Sequence, residues 1–208
     1  MRKSEKLKLI FDRLTELYGT PGCPLKHESP FQLLAAVVLS AQCTDVRVNL
    51  VTPELFASCG TPEKMAASTP EKIAEIIKSV GLYRAKSRSL HGLAAMIAEK
   101  FNGEVPQTME ELLMLPGVGR KSANVVLGNA FGVPGFPADT HVQRLLVRLG
   151  IISRRDPVLA EREVCKNLAP EYWTDFSHLL ITHGRQCCSA RNPECGRCPL
   201  RPECKFGR

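Results

Sequence analysis

The chain has 208 residues, 44% of them hydrophobic, and this composition supports a folded core and excludes a disordered polymer. A formal net charge of +7 indicates a polyanionic partner, because lysine and arginine gain affinity for nucleic acid by releasing counterions from phosphates. The N-terminal segment lacks the apolar core of a signal peptide, and no stretch approaches the roughly 18 consecutive apolar residues of a membrane span. We therefore expect a cytoplasmic protein without membrane contact, whose nine cysteines are thiols or metal ligands.

The N-terminal part of the chain predicts one amphipathic helix and one buried helix. In the first segment, apolar residues recur at helical spacing and predict a helix that ends near Gly19. These apolar residues are Leu7, Ile10, Phe11, Leu14 and Leu17. After a linker over residues 21–30, residues 31–39 are apolar on all sides, which is typical of a helix buried in a bundle. A buried strand is the alternative for this run.

Three Thr-Pro-Glu triplets predict three short helices in series. Threonine can cap a helix, proline suits the first helical position, and glutamate complements the positive end of the helix. The triplets begin at Thr52, Thr61 and Thr69. The third helix is predicted over residues 70–80 with Gly81 as its left-handed C-cap, and the apolar pattern repeats over residues 90–101.

Helical patterns continue in the second half of the chain. A capping box at Thr108 opens a helix that stops at the LPGVG sequence of residues 115–119, and a second helix is predicted over residues 120–131. A further amphipathic helix begins near Thr140 and is closed by Gly150. Nothing alternates convincingly with the period of two that marks strands. We therefore predict an all-α protein of about ten helices.

Four cysteines near the C-terminus have the spacing of a metal site. They follow the pattern C-x6-C-x2-C-x5-C within one loop and are Cys188, Cys195, Cys198 and Cys204. Four thiolates can hold a four-iron cluster or a zinc ion, and free structural thiols are the third interpretation. Cys187 abuts the first of them and is interpreted as a buried or exposed bystander thiol, with competition for the ligand position as the alternative. The cysteines elsewhere are isolated and are predicted to be small core residues: Cys23, Cys43, Cys59 and Cys165.

The cysteine loop is also basic. Residues 184–208 contain six basic and two acidic side chains, and Arg191 lies between the first two clustered cysteines. One interpretation is that a metal core shapes a loop that contacts phosphates. The alternative is a solvated, positively charged tail without a partner.

Residues 115–119 form a glycine-containing hairpin between two predicted helices. Gly117 and Gly119 allow close approach of the backbone to a ligand, and Val118 is expected to pack at the tip. The N-terminus of the following helix offers free N–H groups, so the hairpin predicts a phosphate site that holds a DNA backbone without reading its sequence. The alternative is an ordinary turn between helices.

Lys121 and Asp139 each lie at the start of a predicted helix. The positive end of the helix dipole disfavours an ammonium at Lys121, and a free amine is a nucleophile. A phosphate-contacting or solvated lysine remains an alternative. Asp139 is well placed as an N-cap, and it can serve Lys121 as a proton acceptor only if the two helix starts converge. The histidines lack ligand spacing and are expected to be core or hydrogen-bonding residues: His141, His178 and His183.

In this order and spacing, residues 115–124 (LPGVGRKSAN), Asp139-Thr140-His141 and the four-cysteine loop closely resemble the endonuclease III family of helix-hairpin-helix DNA glycosylases. Residues 39–45 (LSAQCTD) and 80–83 (VGLY) extend the resemblance over nearly the whole chain. It implies a central helical-barrel domain over residues 22–132, with the helix-hairpin-helix motif at about 108–131. It also implies a discontinuous second domain of residues 1–21 and 133–208 that carries a [4Fe–4S] cluster, and DNA in the cleft between them.

The resemblance further implies a bifunctional glycosylase and AP lyase for oxidised pyrimidines of the thymine glycol type. Lys121 is expected to attack C1′ of the flipped nucleotide and Asp139 to assist, with strand cleavage 3′ to the abasic site by β-elimination. Gln42 and Leu82 are expected to fill the hole that the flipped nucleotide leaves. The expected partner is double-stranded DNA with a damaged base or an abasic site, bound by a monomer associated with the nucleoid.

Three positions depart from the family pattern: Cys43, the pair Pro137-Ala138, and Cys187 beside the first ligand. Pro137-Ala138 matters most, since altered packing behind Asp139 can reshape the lesion pocket. Two alternatives to the bifunctional enzyme stay open. One is a mismatch-directed or weakly active paralogue of the same superfamily, and the other is a non-catalytic DNA-binding module that uses the hairpin and the basic loop only for phosphates.

Overall fold

A computed structural model describes residues 1–207, and these residues form helices and connecting turns without a β-strand. The all-α prediction is therefore confirmed. Two 3₁₀ helices, Pro170–Tyr172 and Arg201–Glu203, accompany the α-helices of the described residues. The α-helices are α1 (Lys3–Tyr18), α2 (Pro30–Ser40), α3 (Asp45–Cys59), α4 (Pro62–Ala66), α5 (Pro70–Ile76), α6 (Tyr83–Lys100), α7 (Met109–Met114), α8 (Arg120–Ala130), α9 (Thr140–Arg148), α10 (Pro157–Asn167) and α11 (Trp173–Gln186). Within residues 1–207, none of these helices is both long and apolar enough to cross a membrane.

The chain divides into two compact units. The first consists of Met1–Gly22 together with the chain from Pro134 onward, and the second is the continuous segment Cys23–Val133. Each unit has its own apolar core, as independent burial requires.

Helix α2 is the centre of the Cys23–Val133 unit. Every residue from Phe31 to Leu39 except Gln32 is buried, and α2 packs against α3, α6 and α8. Ser29 caps the helix, because its hydroxyl accepts a hydrogen bond from the N–H of Gln32 at 3.2 Å. The helical prediction for this apolar run is confirmed, and the strand alternative is wrong.

Two predictions in this unit are wrong. Thr52 does not start a helix: it is buried inside α3, which Thr44 caps at its N-terminus, and Pro53 is accommodated within the helix. The predicted helix over residues 70–80 ends at Ile76, and the left-handed residue after it is Leu82 rather than Gly81. The other two triplet helices are confirmed, since Thr61 and Thr69 cap α4 and α5.

The other unit is built around α9 and α11. Helix α1 buries Leu7, Ile10, Phe11 and Leu14 in this core and packs against α10 and α11. Leu17, predicted on the same face, is 53% exposed. The helix ends one residue later, and Gly19 follows in the left-handed region with φ of 67°. Leu17 therefore lies in the last turn of α1, where the apolar face is only partly covered.

Candidate functional site

The glycine hairpin lies between α7 and α8 and packs on α6. Gly117 has φ of 81°, and a Cβ there would lie 2.8 Å from the Cβ of Ser89, so only glycine fits. Val118 is buried, as expected of the tip, and its N–H donates to the carbonyl of Leu115 at 3.1 Å. Apart from its immediate chain neighbours, a Cβ at Gly119 would meet no atom of residues 1–207 within 4 Å, which leaves space beside the start of α8.

Lys121 is exposed in the first turn of α8, where Gly119 is the N-cap residue. The first backbone N–H groups of a helix have no partner within the helix, so this turn presents donors as well as the amine. The hairpin and Lys121 therefore place backbone N–H donors and an exposed amine on neighbouring residues of one surface.

Gln42 and Leu82 share an unusual backbone conformation. Both lie in the left-handed region, with φ of 54° and 60°, and both are exposed. Their loops meet, since a Cβ at Gly81 would lie 3.7 Å from the carbonyl oxygen of Gln42. A left-handed conformation is strained for a branched or long side chain and persists where the surroundings impose it, often at functional sites. The structure thus brings together the two residues predicted to fill the duplex.

A buried lysine joins these two loops. Lys86 lies on α6, four residues after Leu82, and its Nζ donates to the carbonyls of Leu39 and Ala41 at 2.9 and 2.6 Å. Burial lowers the pKa of Lys86. The amine supplies donors to carbonyls at the C-terminal end of α2, where the helix itself provides none.

Asp139 is the N-cap of α9, as predicted. One carboxylate oxygen accepts a hydrogen bond from the N–H of Val142 at 2.9 Å. The segment before it is fixed by side chains: Ser177 donates to the carbonyl of Pro137 at 2.7 Å, and Gln143 donates to that of Ala138 at 2.9 Å. Pro137 and Ala138 are buried, so this departure from the family pattern lies in the core next to Asp139.

The clustered cysteines line one cavity of the C-terminal loop. Its walls include all four predicted ligands, Cys188, Cys195, Cys198 and Cys204, and also Cys187. Cys187 is buried in this cavity rather than being remote from it. Burial raises the pKa of the Cys198 thiol to about 12, so binding of a metal there has to displace a proton.

His183 lies beside the cysteines. One ligand atom each from His183, Cys187 and Cys198 falls within 4.8 Å of the others, a grouping that the spacing of the sequence does not reveal. The Nε2 of His183 is 3.4 Å from the Sγ of Cys198, and its Nδ1 is 2.9 Å from the hydroxyl of Tyr18. Burial, with a smaller contribution from Arg197, lowers the pKa of His183 to about 4. These contacts agree with the prediction that His183 is a core or hydrogen-bonding residue.

Two arginines connect α9 to the cysteine loop. Arg144 donates to the carbonyls of Gly184 and Cys188 at 2.9 and 3.0 Å. Arg148 donates to the Sγ of Cys188 at 3.1 Å and to the carbonyl of Ser189 at 2.7 Å. The helix that Asp139 caps is therefore joined by hydrogen bonds to the loop at Cys188 and Ser189. Arg191 lies on the exposed side of the same loop.

Comparisons with known proteins agree with this architecture. The family model described as "HhH-GPD superfamily base excision DNA repair protein" matches residues 35–170. The endonuclease III of Synechocystis sp. is 46% identical over 97% of this chain and 93% of its own length. The endonuclease III of Bacillus subtilis is 43% identical over 100% of this chain and 95% of its own length. The chain belongs to the endonuclease III family of HhH-GPD base excision DNA repair proteins.

A solved endonuclease III structure has the same fold. It is described as a trapped endonuclease III–DNA covalent intermediate in an estranged-adenine complex, and it is 43% identical to this chain. The TM-score is 0.94, with 100% of this chain and 98% of the other covered. The family resemblance inferred from the hairpin, the DTH sequence and the cysteine loop is therefore confirmed.

Several residues around the candidate site were not predicted from the sequence. Lys86 continues the apolar stripe of α6, which Leu90, Leu93 and Ile97 form, and a lysine on such a stripe is a detectable signal. Arg144 and Arg148 are spaced four apart on α9, so they too share a face. Tyr18 gives no comparable signal, because its partner His183 lies 165 residues away.

Proposed function

We propose that this chain is a bifunctional DNA glycosylase and AP lyase that removes oxidised pyrimidines, of the thymine glycol type, from double-stranded DNA. The observation that carries the proposal is an exposed Lys121 in the first turn of α8, directly after the glycine hairpin. Support comes from a 43% identical endonuclease III whose structure is described as a trapped covalent intermediate with DNA. Such an intermediate requires a nucleophile on the enzyme, and the amine of Lys121 is one.

In the proposed reaction, Nζ of Lys121 bonds to C1′ of the flipped nucleotide, and the bond between C1′ and the base breaks. The base departs with that electron pair and receives a proton. The sugar ring then opens to leave an imine between Nζ and C1′. Loss of a proton from C2′ and departure of the 3′ phosphate complete β-elimination and cut the strand, and water then hydrolyses the imine to release Lys121. The electron pairs of the broken bonds remain on the base, the ring oxygen and the 3′ phosphate, so the reaction needs no redox partner.

Asp139 assists this chemistry in the proposal. Its carboxylate can accept a proton from the ammonium of Lys121 and can stabilise the positive charge that develops on the sugar. Because the N–H of Val142 holds one carboxylate oxygen at 2.9 Å, the side chain is oriented before DNA binds. The second oxygen of the carboxylate is the one that we assign to the reaction.

We assign DNA contacts to the glycine hairpin and to the two loops that carry Gln42 and Leu82. Amides of Gly117, Val118 and Gly119 would hold phosphates without reading bases, which suits an enzyme that acts on lesions in any sequence. Gln42 would face the orphaned base and Leu82 would act as an apolar wedge in the stack. The exposed, left-handed conformation of both residues supports this assignment, since it projects them from the surface.

For the cofactor, we propose a [4Fe–4S] cluster on Cys188, Cys195, Cys198 and Cys204. The donor set fits, because these four sulfurs line a single cavity and thiolates are the usual ligands of such clusters. Nitrogen atoms lie beside two of these sulfurs: Arg148 donates to the Sγ of Cys188 at 3.1 Å, and Nε2 of His183 lies 3.4 Å from the Sγ of Cys198. When bound, the cluster would order a loop that has little apolar core, and Arg191 would then contact a DNA phosphate.

Excision from a panel of duplexes tests the proposed function. The panel holds one thymine glycol duplex, one guanine–thymine mismatch, one plain abasic site and one undamaged control. We expect base release and strand cleavage with thymine glycol, and cleavage alone at the abasic site. Activity restricted to the mismatch would identify a mismatch-directed paralogue. Binding to every duplex without cleavage would identify a non-catalytic module.

A further inference from the structure

Three polar side chains from separate parts of the chain form a continuous series beside the cysteine cavity. The hydroxyl of Tyr18, at the end of α1, lies 2.9 Å from Nδ1 of His183 on α11. The other ring nitrogen, Nε2, lies 3.4 Å from the Sγ of Cys198. His183 is only 1% exposed, so both ring nitrogens depend on these protein partners rather than on bulk water.

The donors and acceptors of this series match in one arrangement when Cys198 is a metal ligand. A ligating cysteine is a thiolate, which can accept a hydrogen bond but cannot donate one. Nε2 of His183 must therefore carry the proton, and Nδ1 of the neutral ring becomes an acceptor. The hydroxyl of Tyr18 can then donate a hydrogen bond to Nδ1. The hydrogen bond at Nδ1, the ring nitrogen that faces away from the metal site, thus fixes the tautomer of His183.

We propose that His183 donates a hydrogen bond to the Cys198 sulfur of the bound cluster, and that Tyr18 holds the ring in the tautomer that permits it. This inference rests on the proposed [4Fe–4S] cofactor and assigns a positioning role to Tyr18. A hydrogen bond to a cysteinyl sulfur withdraws electron density from the cluster and favours its more reduced, more negative state. The pair therefore raises the reduction potential of the cluster.

His183 as a direct ligand is the competing arrangement, because its nitrogen, Cys187 and Cys198 could surround one ion. Two observations favour the hydrogen bond. The four sequence-spaced cysteines line the cavity and already provide four ligands. In addition, Nε2 approaches a sulfur at 3.4 Å, which is a hydrogen-bonding distance for sulfur. Direct ligation by His183 is therefore treated as one outcome of the test and is not what we propose.

The test measures the reduction potential of the purified, iron-loaded enzyme by direct electrochemistry, with iron content determined on the same samples. Tyr18→Phe keeps the ring and removes only the hydroxyl, while His183→Phe removes the donor. Tyr172→Phe is the matched control, since Tyr172 packs on Phe11 with ring centroids 4.7 Å apart in the same unit. His183→Gln is the conservative variant, because its carboxamide retains an N–H donor on a side chain of similar reach.

We expect full iron content in every variant, a lower potential for Tyr18→Phe and a still lower one for His183→Phe. His183→Gln should recover part of the shift, and Tyr172→Phe should match the wild type. Wild-type potentials in iron-loaded Tyr18→Phe and His183→Phe would overturn the proposed hydrogen bond but not the proposed cluster. Loss of iron confined to the His183 variants would show a ligand instead. Wild-type protein without iron would overturn the cluster as well, and excision assays on these samples report separately on the enzyme function.

Discussion

The amine of Lys86 donates a hydrogen bond of 2.6 Å to the main-chain carbonyl of Ala41, the residue before Gln42. Lys86 belongs to the helix that begins just after Leu82, so one buried side chain couples the two loops that we assign to the DNA duplex. Replacing it with methionine keeps the apolar stem but removes the donor.

We predict that Lys86→Met lowers the free energy of unfolding by about 1–3 kcal/mol, because the carbonyls of Leu39 and Ala41 lose a buried partner. Affinity for a duplex with an abasic site should fall as well, since the left-handed loops are then free to relax. Urea unfolding and duplex titration measure the two effects. Lys64→Met, at an exposed position in α4, is the control. Wild-type stability in Lys86→Met would contradict the prediction.

Asp139 has two roles in this account, and two substitutions separate them. Asparagine is also a good N-cap, so Asp139→Asn should leave stability unchanged while excision falls by roughly 10²–10⁴-fold through loss of the carboxylate. Asp139→Ala should lose activity and in addition about 1 kcal/mol of stability. Single-turnover kinetics and thermal unfolding supply the measurements. If Asp139→Asn excises bases at the wild-type rate, Asp139 is a helix cap and nothing more.

The adjacent cysteines offer a matched pair for the metal centre. Both Cys187 and Cys188 line the cavity, but only Cys188 fits the ligand spacing. We predict that Cys188→Ser loses most of its iron and the brown colour of the cluster, whereas Cys187→Ser retains both. Iron analysis and visible absorption decide between them. The reverse result would make Cys187 the ligand, and a colourless wild type containing zinc would replace the cluster by a zinc site.

The two hairpin glycines should respond differently to alanine. At Gly117 the left-handed backbone and the contact with Ser89 should together cost on the order of 1–3 kcal/mol of stability. At Gly119, with φ of −104° and open space, alanine should fold normally. Gly119→Ala should nevertheless bind damaged and undamaged duplexes less tightly, if phosphates approach the backbone there. Equal stability of the two variants would refute the strain assigned to Gly117.

Much of the fold could be predicted from local patterns, because capping and apolar spacing act within a few residues. The apolar run of residues 31–39 illustrates this in α2, as does the N-cap Asp139 in α9. Thr52 illustrates the limit. Its Thr-Pro-Glu triplet satisfies the same local rule, but tertiary packing keeps α3 continuous and buries the threonine.

The candidate site was less predictable, since its contacts join distant parts of the chain. The hairpin, Lys121 and the cysteine spacing are contiguous patterns that a sequence displays directly. The left-handed backbone at Gln42 and Leu82 is not, because neither residue type favours that conformation. The contact of Tyr18 with His183 depends on how α1 packs against α11, which no local pattern encodes.

The proposed reaction requires Lys121 to form a covalent bond with the sugar of the damaged nucleotide. Incubating the enzyme with a duplex that contains an abasic site and adding borohydride reduces the imine and traps that bond. Lys72→Gln is the matched control, since Lys72 is another exposed lysine in the first turn of a helix. We predict an enzyme–DNA adduct with the wild type and with Lys72→Gln, and none with Lys121→Gln, which should still bind the duplex. An adduct of wild-type yield with Lys121→Gln would exclude Lys121 as the nucleophile, and the absence of an adduct with the wild type would exclude the imine mechanism.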